Sequence, residues 1–465
     1  MKNESLFSEF QEVSAKQWKQ KIQFDLKGAD YNETLVWESL EGIHVKPFYH
    51  SEDLDKTSSL VSTHNDIWQI GQSIYVNDEV KANEKAKDVL NKGVSSLVFK
   101  ISNSSITWSV LFKNLDLTNT PIHLHLNFLD NESITRLINF VDDKVIEVYL
   151  HIDILGHLAR TGNWFYNQAK DHQILEDIFH TCATKKNFSV LAVDLSLYQN
   201  AGGNMVQQLA YGLAHANEYL NHLSLLKQGS EEKSISMTFN VAVGGNYFFE
   251  IAKLKALRAL WSALSQEYNY DLPCHIKVRP SKRNKTIYDY NVNMLRTTSE
   301  CMSAVLGGAN TVCNLPYDSL YHKDNEFGER IARNQLLLLK EESYFDDAVK
   351  AVEGTYYIES LTQQLAEKAL VLFKQIENSG GFLKQLKEGI IQKKIKENAA
   401  KEQTKFDKGE LVLIGTNTFQ NLEDKMKDDL ELHPFVKTEK RKTVIEPIIQ
   451  KRLSEVLEQK RLQDE

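Results

Sequence analysis

Apolar residues in this chain gather into short runs separated by longer stretches of mixed character. Runs of buried-strand type lie at residues 97–101, 122–128, 148–154, 190–195, 234–243, 275–278, 310–315 and 355–358. Their length and β-branched content favour strands over buried helix. Between them, residues 206–226, 249–268, 291–306 and 326–342 read as helices. In the last of these, Phe327, Ile331 and Leu338 recur at i, i+4 and i+11 and mark one face. Strands alternating with helices in this way predict an α/β fold, either a (β/α)8 barrel or a doubly wound open sheet.

The flanks break this rhythm. Residues 1–90 read as an N-terminal arm, with an extended piece over 37–49 because Pro47 lacks an N–H and restricts Lys46. Residues 91–380 form the expected barrel unit. Residues 381–465 are a C-terminal extension: a helix over 382–403 and an amphipathic helix over 443–465. Ile445, Ile448, Ile449, Leu453, Val456 and Leu457 would form that last helix's stripe, docked on its own barrel or on a partner chain.

Composition narrows the class. A hydrophobic share of 42% with 25% charged residues suits an ordinary globular protein, and a net charge of -8 argues against a general nucleic-acid binder. The four cysteines are widely spaced with no C-x-x-C pair, which fits a reducing compartment. The start lacks the apolar segment of a signal peptide, and no apolar run reaches membrane-span length. A cytoplasmic location is expected.

Arg296-Thr-Thr-Ser-Glu-Cys-Met-Ser-Ala-Val-Leu-Gly-Gly-Ala309, Glu329-Arg-Ile-Ala-Arg-Asn-Gln335 and Gly354-Thr-Tyr-Tyr-Ile-Glu-Ser-Leu361 follow one another in order. Together they resemble the second half of the barrel in the methylmalonyl-CoA mutase family. That family interconverts (R)-methylmalonyl-CoA and succinyl-CoA using adenosylcobalamin. The resemblance implies a (β/α)8 barrel with acyl-CoA threaded down its axis, and likens residues 409–417 to a short strand that follows the barrel.

Family motifs are also missing. The catalytic Tyr-His pair aligns with Ser196 and Leu197, with Tyr198 displaced by two positions; serine and leucine cannot replace a phenol and an imidazole. A Thr-x-Gln-Asn-Asp motif has no counterpart. Its place is taken by a segment containing Asp153, His157 and Arg160, read as a strand followed by a solvated loop. A Ser-Gly-Trp-Ser loop aligns with Arg279, Ser281, Lys282, Arg283 and Lys285, read as a basic surface loop or subunit contact, with coenzyme A phosphates as the other candidate. Trp68 and Ile70 match the segment before the first family strand, while His64 reads as an exposed loop histidine. No Asp-x-His-x-x-Gly cobalamin loop occurs, and His433 alone follows the barrel. Gly307-Gly308-Ala309 reads as a helix end and the leucine run 336–339 as core helix.

The resemblance therefore implies a small, non-catalytic subunit. We expect no catalytic, cofactor-binding or metal-binding residue on this chain. Adenosylcobalamin would sit on the partner, a methylmalonyl-CoA mutase large subunit in a heterodimer. One alternative is an active isobutyryl-CoA mutase-like barrel whose cobalamin domain is a separate chain. Another is a stand-alone barrel enzyme built on Asp153, Asp194 and Arg279. For the small subunit, an axis filled by Phe99, His123, His125, Phe128, Tyr149, Phe239 and His275 is expected.

Overall fold

The computed structural model describes residues 9–54, 67–141, 147–182, 185, 187–224, 236–268, 272–437 and 441–465. His64 lies outside them. A small hairpin, β1 (Trp37–Glu38) with β2 (His44–Val45), precedes eight parallel strands. These are β3 (Gln69–Val76), β4 (Ser96–Ile101), β5 (Ile122–Leu126), β6 (Val148–Ile152), β7 (Phe188–Asp194), β8 (Met237–Val243), β9 (Cys274–Pro280) and β10 (Thr311–Val312). They close in the order β10-β3-β4-β5-β6-β7-β8-β9, ringed by helices, so the α/β barrel expectation holds and the open sheet is excluded.

One strand expectation fails at each end of the barrel. Residues 355–358 open the helix Tyr356–Asn378, where Ile358, Leu361 and Leu365 are buried at helical spacing. The missing strand is β3, inside the stretch read as an arm, so the barrel begins before residue 91. Its apolar run is interrupted by Gly71, Gln72 and Ser73. Gly71 permits closure: a Cβ there would stand 2.4 Å from Cys313 Sγ and 2.8 Å from Thr311 Cγ2.

The helix Glu326–Leu337 buries Gly328, Ala332 and Leu336, not the face marked by Phe327 and Leu338, which are 49% and 45% exposed. A Cβ on Gly328 would come 2.5 Å from Asp318 Oδ1, so the helix approaches through its small residues. In the leucine run, Leu336 and Leu339 are core and Leu338 is not.

The C-terminal extension differs most from its reading. Residues 382–403 fall in two helices, Phe382–Lys387 and Ile390–Asp407. Residues 409–417 make turns and one isolated bridge, Ile414 to Thr418, instead of a strand. The expected helix over 443–465 exists only as Glu455–Asp464, because Pro447 interrupts it. Residues 444–453 are instead an irregular strap across the ends of the barrel strands. Val444 N and Ile445 N donate to Gly162 O, Ile448 N to Ala159 O, Lys451 N to Asn200 O, and Leu453 N to Arg283 O. Ile445, Ile448 and Leu453 are buried there, while Ile449, Val456 and Leu457 stay exposed.

Candidate functional site

Side chains alternate across each barrel strand, so every second residue meets the axis. His123 of β5, Tyr149 of β6 and His275 of β9 meet there: ring centroids lie 4.6 Å apart for His123–Tyr149, 4.1 Å for Tyr149–His275 and 5.1 Å for His123–His275. Asn240 Nδ2 donates to His151 Nδ1 at 3.0 Å. His151 Nε2 then donates to His123 Nδ1 at 3.0 Å, and His123 Nε2 meets Thr311 Oγ1 at 3.4 Å. His125 stacks on His151 at 3.8 Å. Burial holds all four imidazoles below their ordinary range, His275 down to about 3.

The expected filling is thus half right. His123, Tyr149 and His275 close the lower axis with polar rings. Phe99 and Phe239 face outward instead, against Phe112 and Trp261. Above the imidazoles, at the C-terminal ends of the strands, lies a cavity of about 660 Å³ bordered by His125 and Phe128. Sequence reading missed most of its wall: Gln72 of β3, Lys100 of β4, Asn240 of β8, Lys277 of β9, and Glu329 and Arg333 of the helix behind. A lysine alternating with apolar residues in a barrel strand, as in Val98-Phe-Lys-Ile101 and Ile276-Lys-Val278, was the available signal. Gln450 of the strap completes one side.

The aligned catalytic positions serve other ends. The Ser196 hydroxyl donates to Asp194 Oδ1 at 2.5 Å, and Leu197 is 0% exposed within the core. Tyr198 is buried outside the cavity wall and meets His215 Nδ1 at 3.0 Å. His215 Nε2 stands 2.9 Å from Asp153 Oδ1. Burial pushes the Asp153 carboxyl up, but His215, Gly156 N and the Tyr219 hydroxyl outweigh it and leave it below its ordinary range.

Asp153, His157 and Arg160 are not on a solvated loop. Asp153 caps the helix Ile154–Thr161, accepting from Gly156 N at 2.8 Å. His157 stacks on Phe165 at 3.6 Å, and Arg160 pairs with Asp194 at 2.5 Å. Asp153, Asp194 and Arg279 all border the cavity, but both carboxylates are engaged by these neighbours.

The basic segment is not a surface loop either. Lys285 pairs with Glu300 at 2.7 Å with both side chains buried, and Arg283 pairs with Glu402 at 2.6 Å. Ser281 donates to Asn200 Oδ1 at 2.9 Å. Arg279 and Lys282 turn to the cavity. The helix Val292–Leu306 ends at Gly307 as expected.

Comparison with known proteins accords with this geometry. The model of the methylmalonyl-CoA mutase family matches residues 103–463. The chain is 35% identical to the methylmalonyl-CoA mutase small subunit of Porphyromonas gingivalis, over 92% of this chain and 73% of that protein. It is 27% identical to the methylmalonyl-CoA mutase small subunit of Streptomyces virginiae, over 90% and 73%. It is 28% identical to the methylmalonyl-CoA mutase of Cereibacter sphaeroides, over 87% of this chain but only 64% of that longer protein. With a closed (β/α)8 barrel and a family match over most of its length, this chain belongs to the methylmalonyl-CoA mutase family.

Proposed function

We propose that this chain is the small, non-catalytic subunit of a heterodimeric methylmalonyl-CoA mutase. Its large partner would hold substrate, adenosylcobalamin and the radical chemistry that interconverts (R)-methylmalonyl-CoA and succinyl-CoA. The observation that carries this reading is Leu197, fully buried in the core at the position aligned with a catalytic imidazole. The polar rings across the lower axis support it, since an acyl-CoA threaded there would have to displace them.

The described residues do not fit a cobalamin. His433, the histidine that follows the barrel, is exposed beside Phe435 and has no carboxylate bonded to it among the described residues. The strap also walls one side of the mouth. Both observations support an adenosylcobalamin held by the partner.

The N-terminal arm supports a partner contact. The helix Ala15–Asp25 buries none of its residues, and Phe10, Trp18 and Phe24 are 72%, 50% and 78% exposed. No helix among the described residues is long and apolar enough to cross a membrane. The four cysteines are unpaired, which favours the cytoplasm as the working compartment.

One observation favours the alternative of an active barrel with a separate cobalamin domain: the cavity at the strand ends. Co-expression with a longer homologue that carries Tyr-His and Asp-x-His-x-x-Gly tests the choice. A stable complex on size exclusion is expected, burying upwards of ~2,000 Å². Two separately eluting proteins would count against it.

A further inference from the structure

Among the described residues, every buried lysine and arginine other than Lys277 has a partner. Lys253 donates to Gln199, Gln208 and Ala242 O and pairs with Glu250 at 2.5 Å, and Lys285 pairs with Glu300. The cavity wall is different. Lys100, Lys277, Arg279 and Lys282 come from β4, β9 and the loop after β9, and all four border the same space. None makes a side-chain hydrogen bond or ion pair with another described residue. Lys277 is only 6% exposed.

The carboxylates nearby form no ion pair with these four side chains; Asp324, on the cavity border, acts on Lys100 and Lys282 only through space. Asp194 is taken by Arg160 and Ser196, and Glu329 by Lys85 and Gln72. Asp153 is held by His215 and Tyr219, and Asp324 is exposed to solvent. A buried, unpaired ammonium is costly, and a fold retains one where something else compensates it.

We propose that this cavity is a binding site for a small polyanion, a phosphate ester or a polycarboxylate, gripped by Lys100, Lys277, Arg279 and Lys282. The cationic wall sets the charge of the ligand, and the volume of about 660 Å³ sets its size. The stacked rings of His123, Tyr149 and His275 below exclude a ligand that must pass through the barrel. Gln450 makes the strap part of the wall, so an occupant would also fasten the tail. Burial pushes the Lys277 ammonium down to about 8; Cys313 and Asp194 pull it up, and Arg279 and Lys100 pull it further down. The site goes beyond the subunit assignment and does not depend on it.

Calorimetry and thermal melts of the full chain with pyrophosphate and with citrate test the site, and the preferred probe tells phosphate from carboxylate recognition. One-to-one binding is expected, weakened about 10- to 100-fold by Lys277→Met because a charge-assisted contact is lost. The same variant should melt higher than wild type without ligand, since it removes a buried unpaired charge, and should lose the ligand-induced rise. Lys282→Gln, at a half-buried position, gives the same binding comparison if Lys277→Met does not fold. No binding of either probe up to about 10 mM, or binding unchanged in both variants, would overturn the proposal.

Discussion

The Tyr198 hydroxyl meets His215 Nδ1 at 3.0 Å, among the helices outside the barrel wall and away from the axis. Tyr198 therefore lies off the cavity wall. Leu197 is committed to the core in the same turn.

Restoring the family residues should accordingly fail. Ser196→Tyr with Leu197→His is expected to show no turnover with methylmalonyl-CoA and adenosylcobalamin. It should also lose about 3 kcal/mol, because the new imidazole is buried without an arranged partner. Denaturant unfolding alongside a chromatographic assay checks both outcomes; measurable turnover would contradict the reading.

Acid should destabilise the barrel through its axis. His123, His125, His151 and His275 are held neutral, chiefly by burial, with folded pKa values below the unfolded one. As pH falls below about 6.5, the unfolded chain takes up protons that the folded chain refuses, so stability falls with pH. His322 works in the opposite sense: its bonds to Asp429 and Asp318 outweigh burial and raise its pKa, so its contribution is present below about 6.5 and is lost as pH rises. His157 and His222 are also lowered by burial and add to the four, whereas Glu41, Glu300, Glu329 and Glu377, raised by burial, act in the sense of His322. The chain should be less stable at pH 5.5 than at pH 7 by up to about 5 kcal/mol. Equal urea midpoints at the two values would refute this.

The Lys285–Glu300 pair, at 2.7 Å and buried on both sides, should be sensitive to losing one member. Glu300→Gln strands the ammonium and should cost about 3–5 kcal/mol, whereas Lys285→Met with Glu300→Leu should be close to neutral. A double-mutant cycle by urea denaturation measures the difference.

Arg452 anchors the strap. It pairs with Glu458 at 2.6 Å and donates to Lys285 O and Ser454 Oγ. Arg452→Ala leaves Glu458 buried and should cost about 3–5 kcal/mol. Hydrogen exchange should accelerate first at the amides of Val444, Ile445 and Ile448, which hold the strap to Ala159 and Gly162. Unchanged protection there would mean that the strap does not depend on this anchor.

The alternation of apolar runs made the barrel legible, and Asp153, Asp194 and Arg279, singled out in the sequence, do border the cavity. Strand β3 escaped because Gly71, Gln72 and Ser73 dilute its apolar run where tight closure and the cavity need small and polar groups. The 355–358 stretch misled because aromatic and β-branched residues at a helix start look like a strand until Leu361 and Leu365 are counted with Ile358. The tail misled because an apolar stripe was counted across Pro447. The cationic cavity was not legible, since Lys100, Lys277, Arg279 and Lys282 converge only once β4 and β9 share a barrel.

As proposed, this chain forms part of a mutase without performing its chemistry. The most direct measurement is methylmalonyl-CoA turnover by the purified chain, alone and mixed with a large subunit, at saturating adenosylcobalamin. The expected result is no conversion by the chain alone and conversion by the mixture. Conversion to succinyl-CoA by the chain without a large subunit would overturn the non-catalytic assignment.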